Sequence, residues 1–195
     1  MSGTVPGHAA IAAPSPWVGR WLSLVRPGGR VLDVACGGGR HAVLAAQHGY
    51  AVLAVDRDAE ALQALAGRAG GVQVLQADLE QGIWPLPPGA RFDAVIVTNY
   101  LHRPLWPHLL AALGEGGVLI YETFAAGNET VGRPANPDFL LQPGELADVA
   151  RAGGLRTVAY EDGFISSPKP AFVQRLCAIR EGAGAVAVRY PLDAS

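Results

Sequence analysis

The sequence predicts one α/β domain built on a mostly parallel, doubly wound sheet. Short β-branched apolar runs alternate with stretches of helical periodicity, and the first of these runs leads into the glycines at 37–39. The last two apolar runs, 155–164 and 171–180, follow each other with no helix between them. Alternating strands and helices are typical of parallel sheets, whereas strands joined by a short loop pair antiparallel. We therefore expect a parallel sheet that ends in an antiparallel strand pair.

The expected elements follow one another with short connections. Ser15 is a capping residue and Pro16 a first-turn proline, and together they open the first helix. We expect residues 1–14 to be a mobile segment, 15–181 to be the domain, and 182–195 to be a tail or an edge strand. Before the closing strand pair, we expect strands at 31–34, 50–55, 72–75, 92–98 and 118–121, and helices at 40–48, 59–69, 105–113 and 144–152.

Length and composition limit the classes of protein and of partner. With 195 residues, half of them hydrophobic and 16% charged, the chain suits one domain with a substantial core. The net charge is -2 and the basic residues are scattered singly, so we expect no nucleic-acid partner. The N-terminus lacks the pattern of a signal peptide, and no apolar run approaches the ~18 residues of a membrane span. We expect a cytoplasmic protein with no membrane partner, and its oligomeric state stays open.

The most informative stretch is 30–41, RVLDVACGGGRH, where a buried strand, a glycine turn and a helix start follow one another. Residues without a Cβ allow positive φ values and let backbone N–H groups approach a ligand. The N-terminus of the helix that begins at Arg40 adds to a site for a nucleotide or another polar ligand. Asp33 lies ahead of the turn, where its carboxylate would repel a pyrophosphate but attract the ammonium and sulfonium groups of S-adenosylmethionine (SAM).

This run resembles motif I of the class I SAM-dependent methyltransferases, which is written acidic-x-Gly-x-Gly-x-Gly. Here the motif consists of Asp33, Ala35, Gly37 and Gly39, and we expect the alanine to change the turn only slightly. The resemblance extends over about 15–181 and includes the glycines before the fifth strand and the closing strand pair. The overall pattern is similar to that of small-molecule and tellurite-resistance-like members of the family. It implies a Rossmann-like seven-stranded sheet and a transferase that moves a methyl group from SAM to a small-molecule acceptor, leaving S-adenosylhomocysteine (SAH).

The resemblance also implies which residues bind the cofactor. The motif I residues would hold the methionine end, and Asp56, at the end of the second strand, would accept hydrogen bonds from both ribose hydroxyls. Asp78 would meet the adenine amino group and the next backbone N–H a ring nitrogen. Two alternatives stay open: Asp56 caps the following helix, or Asp78 is a solvated loop carboxylate. The expected cofactor-binding residues are Asp33, Ala35, Gly37, Gly39, Asp56, Asp78, Leu79 and Asn99.

Residues after the fourth and fifth strands are the candidates to face the acceptor, because ligands bind beyond the carboxyl ends of such strands. These candidate catalytic residues are Tyr100, His102 and Glu122, with a scaffold role as the alternative for His102. The long polar loop 125–143 is interpreted as a substrate-facing lid, and its Arg133 as a candidate clamp on an anionic substrate.

Tryptophans in the first helix and the two cysteines have simpler interpretations. Trp17 and Trp21 fit core packing, although in the resembled family the leading helix also covers the cofactor, so that one tryptophan would line the substrate cavity. Cys36 and Cys177 are expected to be free thiols packed as small apolar groups. No residues have the spacing of a metal site, so we expect no metal requirement.

Two other functions stay open at this point. Gly37, Gly39 and Ala42 with Asp56 fit a relaxed dinucleotide fingerprint, as in an NAD(P)-dependent oxidoreductase. Asp33 and the closing strand pair argue against it. The second is a SAM-binding protein without turnover, acting as a sensor or partner subunit, because cofactor residues indicate binding only.

Overall fold

The computed structural model of the chain describes residues 12–184 and 188–193. The expected mobile segment 1–14 lies almost wholly outside these residues, and the expected tail 182–195 lies partly outside them. Residues 188–193 contain neither helix nor strand. Among the described helices, none has the length and apolarity that crossing a bilayer requires.

Strands and helices alternate as the sequence predicts. The strands are β1 (Arg30–Val34), β2 (Ala51–Asp56), β3 (Val72–Gln76), β4 (Phe92–Thr98), β5 (Leu113–Phe124), β6 (Arg156–Ile165) and β7 (Ala171–Ile179). The α-helices are α1 (Pro16–Leu22), α2 (Arg40–Gln47), α3 (Ala59–Ala66), α4 (Trp106–Ala112) and α5 (Glu145–Ala152). Short 3₁₀ turns lie at Arg103–Leu105, Asn128–Thr130 and Pro137–Phe139.

The strands form one seven-stranded sheet in the order β3-β2-β1-β4-β5-β7-β6. The strands from β1 to β5 pair in parallel. β7 lies between β5 and β6 and is antiparallel to both. The predicted fold, a Rossmann-like, mostly parallel sheet closed by an antiparallel pair, is confirmed. The strand order reverses between β1 and β4, and a crevice at that reversal is where ligands of open α/β sheets bind.

Helices cover both faces of the sheet, because alternate residues of a strand point to opposite sides. Val31 and Ile120 belong to a core shared with α1, α2 and α3, and we call this side the α1 face. Leu32 and Leu119 belong to the opposite core, which is shared with α4 and α5. Each central strand is therefore buried on both sides, which explains its continuous apolar sequence.

Helix α1 begins where its capping pattern predicts. The Ser15 hydroxyl oxygen accepts the backbone N–H of Trp17 at 3.1 Å. Trp17 and Trp21 meet edge to face, with ring centroids 5.6 Å apart. Both are buried, and the indole N–H of Trp17 donates to the carbonyl of Leu176. The structure therefore places both tryptophans in the core. Cys36 and Cys177 are buried free thiols, as predicted.

The start of β5 differs from the sequence prediction. The strand begins at Leu113, so the glycines at 114–117 lie inside it rather than in a preceding turn. The N–H of Gly116 donates to Arg180, and the N–H of Arg180 donates to the carbonyl of Gly117. A Cβ on Gly117 would lie 2.8 Å from the carbonyl oxygen of Gly114, so close packing requires glycine there. Pairing with β7 thus overrides the low strand preference of glycine.

Candidate active site

A cleft of about 190 Å³ opens at the carboxyl ends of the parallel strands. Five residues predicted from the sequence meet there, together with two other side chains and one small residue. The lining residues are Ala35, Asp56, Asp78, Leu79 and Tyr100, with Arg57, Glu80 and Ala77. The other predicted site residues lie outside this lining, and they are Asp33, Gly37, Gly39, Asn99, His102, Glu122 and Arg133.

The glycine turn has the left-handed backbone that the motif predicts. Ala35, Gly37 and Gly39 have φ values of 53°, 53° and 76°. Gly39 precedes the first residue of α2, and a Cβ at this position would overlap the side chain of Leu65. Gly39 is therefore required both by its backbone conformation and by the close approach of α3.

Asp56 joins the end of β2 to the glycine turn. Its Oδ2 accepts the N–H of Gly37 at 2.7 Å, and its Oδ1 accepts the N–H of Asp58 at 3.0 Å. The cap of α3 is Asp58, whose Oδ1 accepts the N–H groups of Glu60 and Ala61. The alternative in which Asp56 caps this helix is therefore wrong, and its carboxylate lies at the cleft.

Asp78 and Tyr100 line the cleft from different loops. The Asp78 carboxylate accepts the N–H of Glu80 at 3.0 Å and the side-chain amide of Gln81 at 3.2 Å, which closes a tight turn after β3. Burial, followed by the nearby charges of Glu80 and Asp78, raises the pKa of the Tyr100 hydroxyl above its usual range. Tyr100 is thus a neutral hydrogen-bonding group at neutral pH.

Asp33 lies below the rim on which the sequence places it. It is inside β1, on the same face as Val31, and is 1% exposed. Among the described residues its Oδ2 has no hydrogen-bond partner. Burial raises the pKa of Asp33 to about 7, against the opposing effects of the Ala42 N–H and of Arg40. Strand alternation explains the difference, because it turns every second residue of β1 into the sheet face.

His41, which the sequence analysis did not select, links α1 to the end of β4. Its Nε2 accepts the backbone N–H of Ser15 at 3.0 Å, so the ring proton must be on Nδ1. Nδ1 donates to the hydroxyl oxygen of Thr98 at 3.3 Å. Burial, with the charge of Arg40, lowers the pKa of His41 to about 3, so the ring is neutral. The Thr98 hydroxyl keeps its own proton for another acceptor.

Glu122 is 8% exposed and forms an ion pair across the sheet. The Nε of Arg175 donates to its Oε2 at 2.5 Å, and Nη1 of Arg175 donates to Glu161 at 3.1 Å. The three residues are register neighbours on β5, β7 and β6. Glu122 also faces Thr98 in the register of β4 and β5.

Three further predicted residues are not among those that line the cleft. Asn99 follows β4 with a φ of 53°, and its N–H donates to the carbonyl of Glu122 at 2.9 Å. His102 is partly buried at the start of a 3₁₀ turn, with no hydrogen bond from its side chain to that turn. Arg133 is exposed in loop 125–143.

The Arg103 guanidinium fastens the end of loop 125–143. It donates to both carboxylate oxygens of Glu145, at 2.7 and 2.9 Å. It also donates to the carbonyls of Asp138 and Leu140, at 2.8 and 2.9 Å. One side chain therefore joins the segment after β4 to the loop and to α5.

The beginning of the loop is fastened by Asn128, which is 1% exposed. Its amide nitrogen donates to the carbonyl of Pro134 at 3.0 Å, and its amide oxygen accepts the N–H of Phe172 at 3.2 Å. The N–H of Ala126 donates to the carbonyl of Leu141, so the two ends of the loop also meet. The loop is thus held at both ends by contacts within the chain.

Comparisons with known proteins agree with this geometry. Residues 31–116, which run from β1 into β5, match the family described as "Methyltransferase domain". The chain is 41% identical over 98 residues to the protein-L-isoaspartate O-methyltransferase of Chlorobaculum tepidum, in a match that spans 48% of this chain and 44% of that relative. The chain therefore matches less than half the length of this curated relative.

Solved structures share the fold at low sequence identity. TehB from Haemophilus influenzae has a TM-score of 0.69 and 16% identity, over 84% of this chain and 61% of that one. A TehB-like SAM-dependent methyltransferase from Corynebacterium glutamicum has a TM-score of 0.62 and 17% identity, over 85% and 87% of the two chains. Residues 31–116 thus match a methyltransferase domain, and the chain shares the fold of these solved methyltransferase structures.

Proposed function

We propose that this chain transfers a methyl group from SAM to a small-molecule acceptor, using the domain of residues 15–181. The observation that supports this most is the cleft where Ala35, Asp56, Asp78 and Leu79 meet inside the matched methyltransferase domain. Each lies at the carboxyl end of a parallel strand, where a nucleoside cofactor binds in this class of sheet.

In this proposal each part of SAM has its own partner. Asp56 accepts the ribose hydroxyls, Asp78 accepts the adenine amino group, and the N–H of Leu79 donates to a ring nitrogen. Asp56 can keep its bonds to the backbone N–H groups of Gly37 and Asp58 meanwhile, because each carboxylate oxygen has two lone-pair sites. The methionine part then lies along the glycine turn, with Asn99 on its other side.

Methyl transfer from a sulfonium is an in-line displacement whose leaving group is already activated. The main task of the protein is to hold donor and acceptor in line and to exclude water. Tyr100, His102 and Glu122 are the proposed residues on the acceptor side. Arg133 would contribute from the loop, and Arg133→Ala is expected to weaken turnover without changing the affinity for SAM.

The two rival functions make different predictions. A dinucleotide-binding domain continues in parallel βαβ units, whereas β7 here is antiparallel to both neighbours. A SAM-binding protein without turnover would have the same cleft, so only a measurement of turnover separates it from an enzyme.

The test is SAH formation with methyl-deuterated SAM and fractions of a small-molecule metabolite extract, followed by mass spectrometry. We expect SAH to appear only when an acceptor fraction is present, with one deuterated product in that fraction. Asp56→Ala is the matched variant and, because it weakens SAM binding, should lower both signals by about 10–100-fold at a SAM concentration below saturation. SAM binding without SAH in any fraction would identify the binding protein instead, and failure to bind SAM would overturn the proposal.

A further inference from the structure

Three oxygen-bearing side chains share the α1 face at the carboxyl ends of adjacent strands. Glu122 alternates in step with Ile120, which packs in the α1-face core. Thr98 is its register neighbour on β4, and Asp33 occupies the same face of β1, next to β4. We take this polar edge, formed by two carboxyl groups and a hydroxyl, as the acceptor side of the proposed site.

One carboxylate oxygen of Glu122 is available to a ligand. Its Oε2 is taken by Arg175, whereas within residues 12–184 and 188–193 its Oε1 has no hydrogen-bond partner. Oδ2 of Asp33, on the same face, also has no partner among the described residues, but it is fully buried. The free Oε1 of Glu122 is a hydrogen-bond acceptor, so this edge suits a ligand that brings N–H or O–H donors.

Two arginines near this edge, Arg175 and Arg103, are already paired with carboxylates. Arg175 lies between the carboxylates of Glu122 and Glu161. Arg103 has its guanidinium fork filled by Glu145. An anionic acceptor that bound Arg175 or Arg103 would have to displace a carboxylate from a partly buried pair, and leaving that carboxylate unpaired is costly.

The chemistry of a carboxylate narrows the acceptor further. A carboxylate is too weak a base to ionise an alcohol, but it can take the proton that an ammonium group must lose before its nitrogen attacks the methyl carbon. Resting on the proposed methyltransferase function, we propose that the acceptor is an amine, that Glu122 receives its proton, and that Arg175 is the positioning residue that aims Glu122.

The step balances without a further reactant. The amine lone pair forms a C–N bond to the SAM methyl carbon while the S–CH₃ bond breaks. The electron pair of the broken bond stays on sulfur, which gives neutral SAH sulfur. Before this attack, the ammonium form of the acceptor gives one proton to Oε1 of Glu122, which passes it on to water, and the methylated nitrogen keeps its remaining protons.

The experiment measures SAH formation with three classes of acceptor. The probes are a panel of aliphatic and aromatic primary and secondary amines, sodium tellurite as an oxyanion, and an L-isoaspartyl peptide as a carboxylate. The variants are Glu122→Gln, Arg175→Met, Arg175→Lys and, as control, Glu161→Gln, which changes the more exposed partner of Arg175. Calorimetric titration with SAM accompanies every variant.

We expect turnover with amines only. Glu122→Gln should lower kcat by about 100-fold at pH 7. The loss should be smaller at pH 10, because a larger fraction of the amine substrate is unprotonated there. Arg175→Met should lower kcat more than KM changes, Arg175→Lys should restore part of the loss, and Glu161→Gln should stay within about 2-fold of the unchanged chain.

Turnover of tellurite or of the isoaspartyl peptide, unaffected by Glu122→Gln, would overturn the amine inference. So would a panel in which no amine is methylated although SAM still binds. If the unchanged chain does not bind SAM, the proposed function itself is overturned, so the two failures are distinguishable.

Discussion

Ala35 has a backbone conformation that normally belongs to glycine, at a φ of 53°. For a residue with a Cβ this region costs roughly 1–2 kcal/mol. The strain lies in the wall of the cleft, where the surrounding hydrogen bonds maintain it, as with the N–H that Cys36 donates to Val55. Alanine at position 35 therefore keeps the left-handed conformation of the glycine turn, at the cost of local backbone strain.

We predict that Ala35→Gly increases the free energy of unfolding by about 1 kcal/mol, because it removes this strain. Denaturant titration measures the change. Ala77→Gly is the matched control, since Ala77 lines the same cleft without a positive φ and should lose about 0.5–1 kcal/mol. An equal loss in both variants would show that Ala35 is unstrained.

Asp33 makes stability depend on pH. Its folded pKa of about 7 exceeds the unfolded value, so its favourable contribution is complete at low pH and is lost as pH rises through 7. Asp33→Asn should therefore gain stability over the unchanged chain between about pH 4 and pH 7, by at most roughly 4 kcal/mol. Urea unfolding of both proteins from pH 4.5 to 8.5 measures this difference, and a difference that stays constant with pH would refute it.

Loop 125–143 depends on Arg103 for much of its attachment. Its four hydrogen bonds reach α5 and two loop carbonyls, and we expect them to hold this end of the loop as a fixed wall. The sequence shows the length and polarity of this loop but not its fastening, because Arg103 and Glu145 are far apart along the chain. The glycine-rich start of β5 is difficult to predict from the sequence for the same reason, because its hydrogen-bond partner Arg180 is distant along the chain.

We predict that Arg103→Met lowers the free energy of unfolding by about 1–3 kcal/mol, because Glu145 loses its partner. Hydrogen exchange in 125–143 should accelerate, while the affinity for SAM should stay within about 3-fold, since Arg103 does not line the cleft. Arg151→Met, which breaks an exposed pair with Asp148, is the control and should change stability by less than about 0.5 kcal/mol. Unchanged exchange in the loop of Arg103→Met would argue against the wall.

The whole fold follows closely from sequence patterns, whereas the site follows only in part. Continuous apolar strands, glycine turns and the final strand pair predict the sheet, because each is a local signal. Asp56 and Asp78, which line the cleft, are recognisable as candidates because they lie at or just after the ends of strands. The sequence does not reveal His41 and Arg175, because each acquires its role from a partner on another element. It predicts Asp33 at the rim, but the alternation of side chains along β1 buries this residue.

Calorimetric titration with SAM, SAH and NAD⁺ tests the cofactor assignment. Asp56→Ala is compared with Asp58→Asn, which alters a carboxylate two residues away that caps α3 outside the cleft lining. We predict that SAM and SAH bind the unchanged chain and Asp58→Asn, that NAD⁺ does not, and that Asp56→Ala weakens SAM by about 10–100-fold through lost charge-assisted hydrogen bonds. Equal SAM affinity in the two variants, or tighter binding of NAD⁺, would contradict a SAM site built on Asp56.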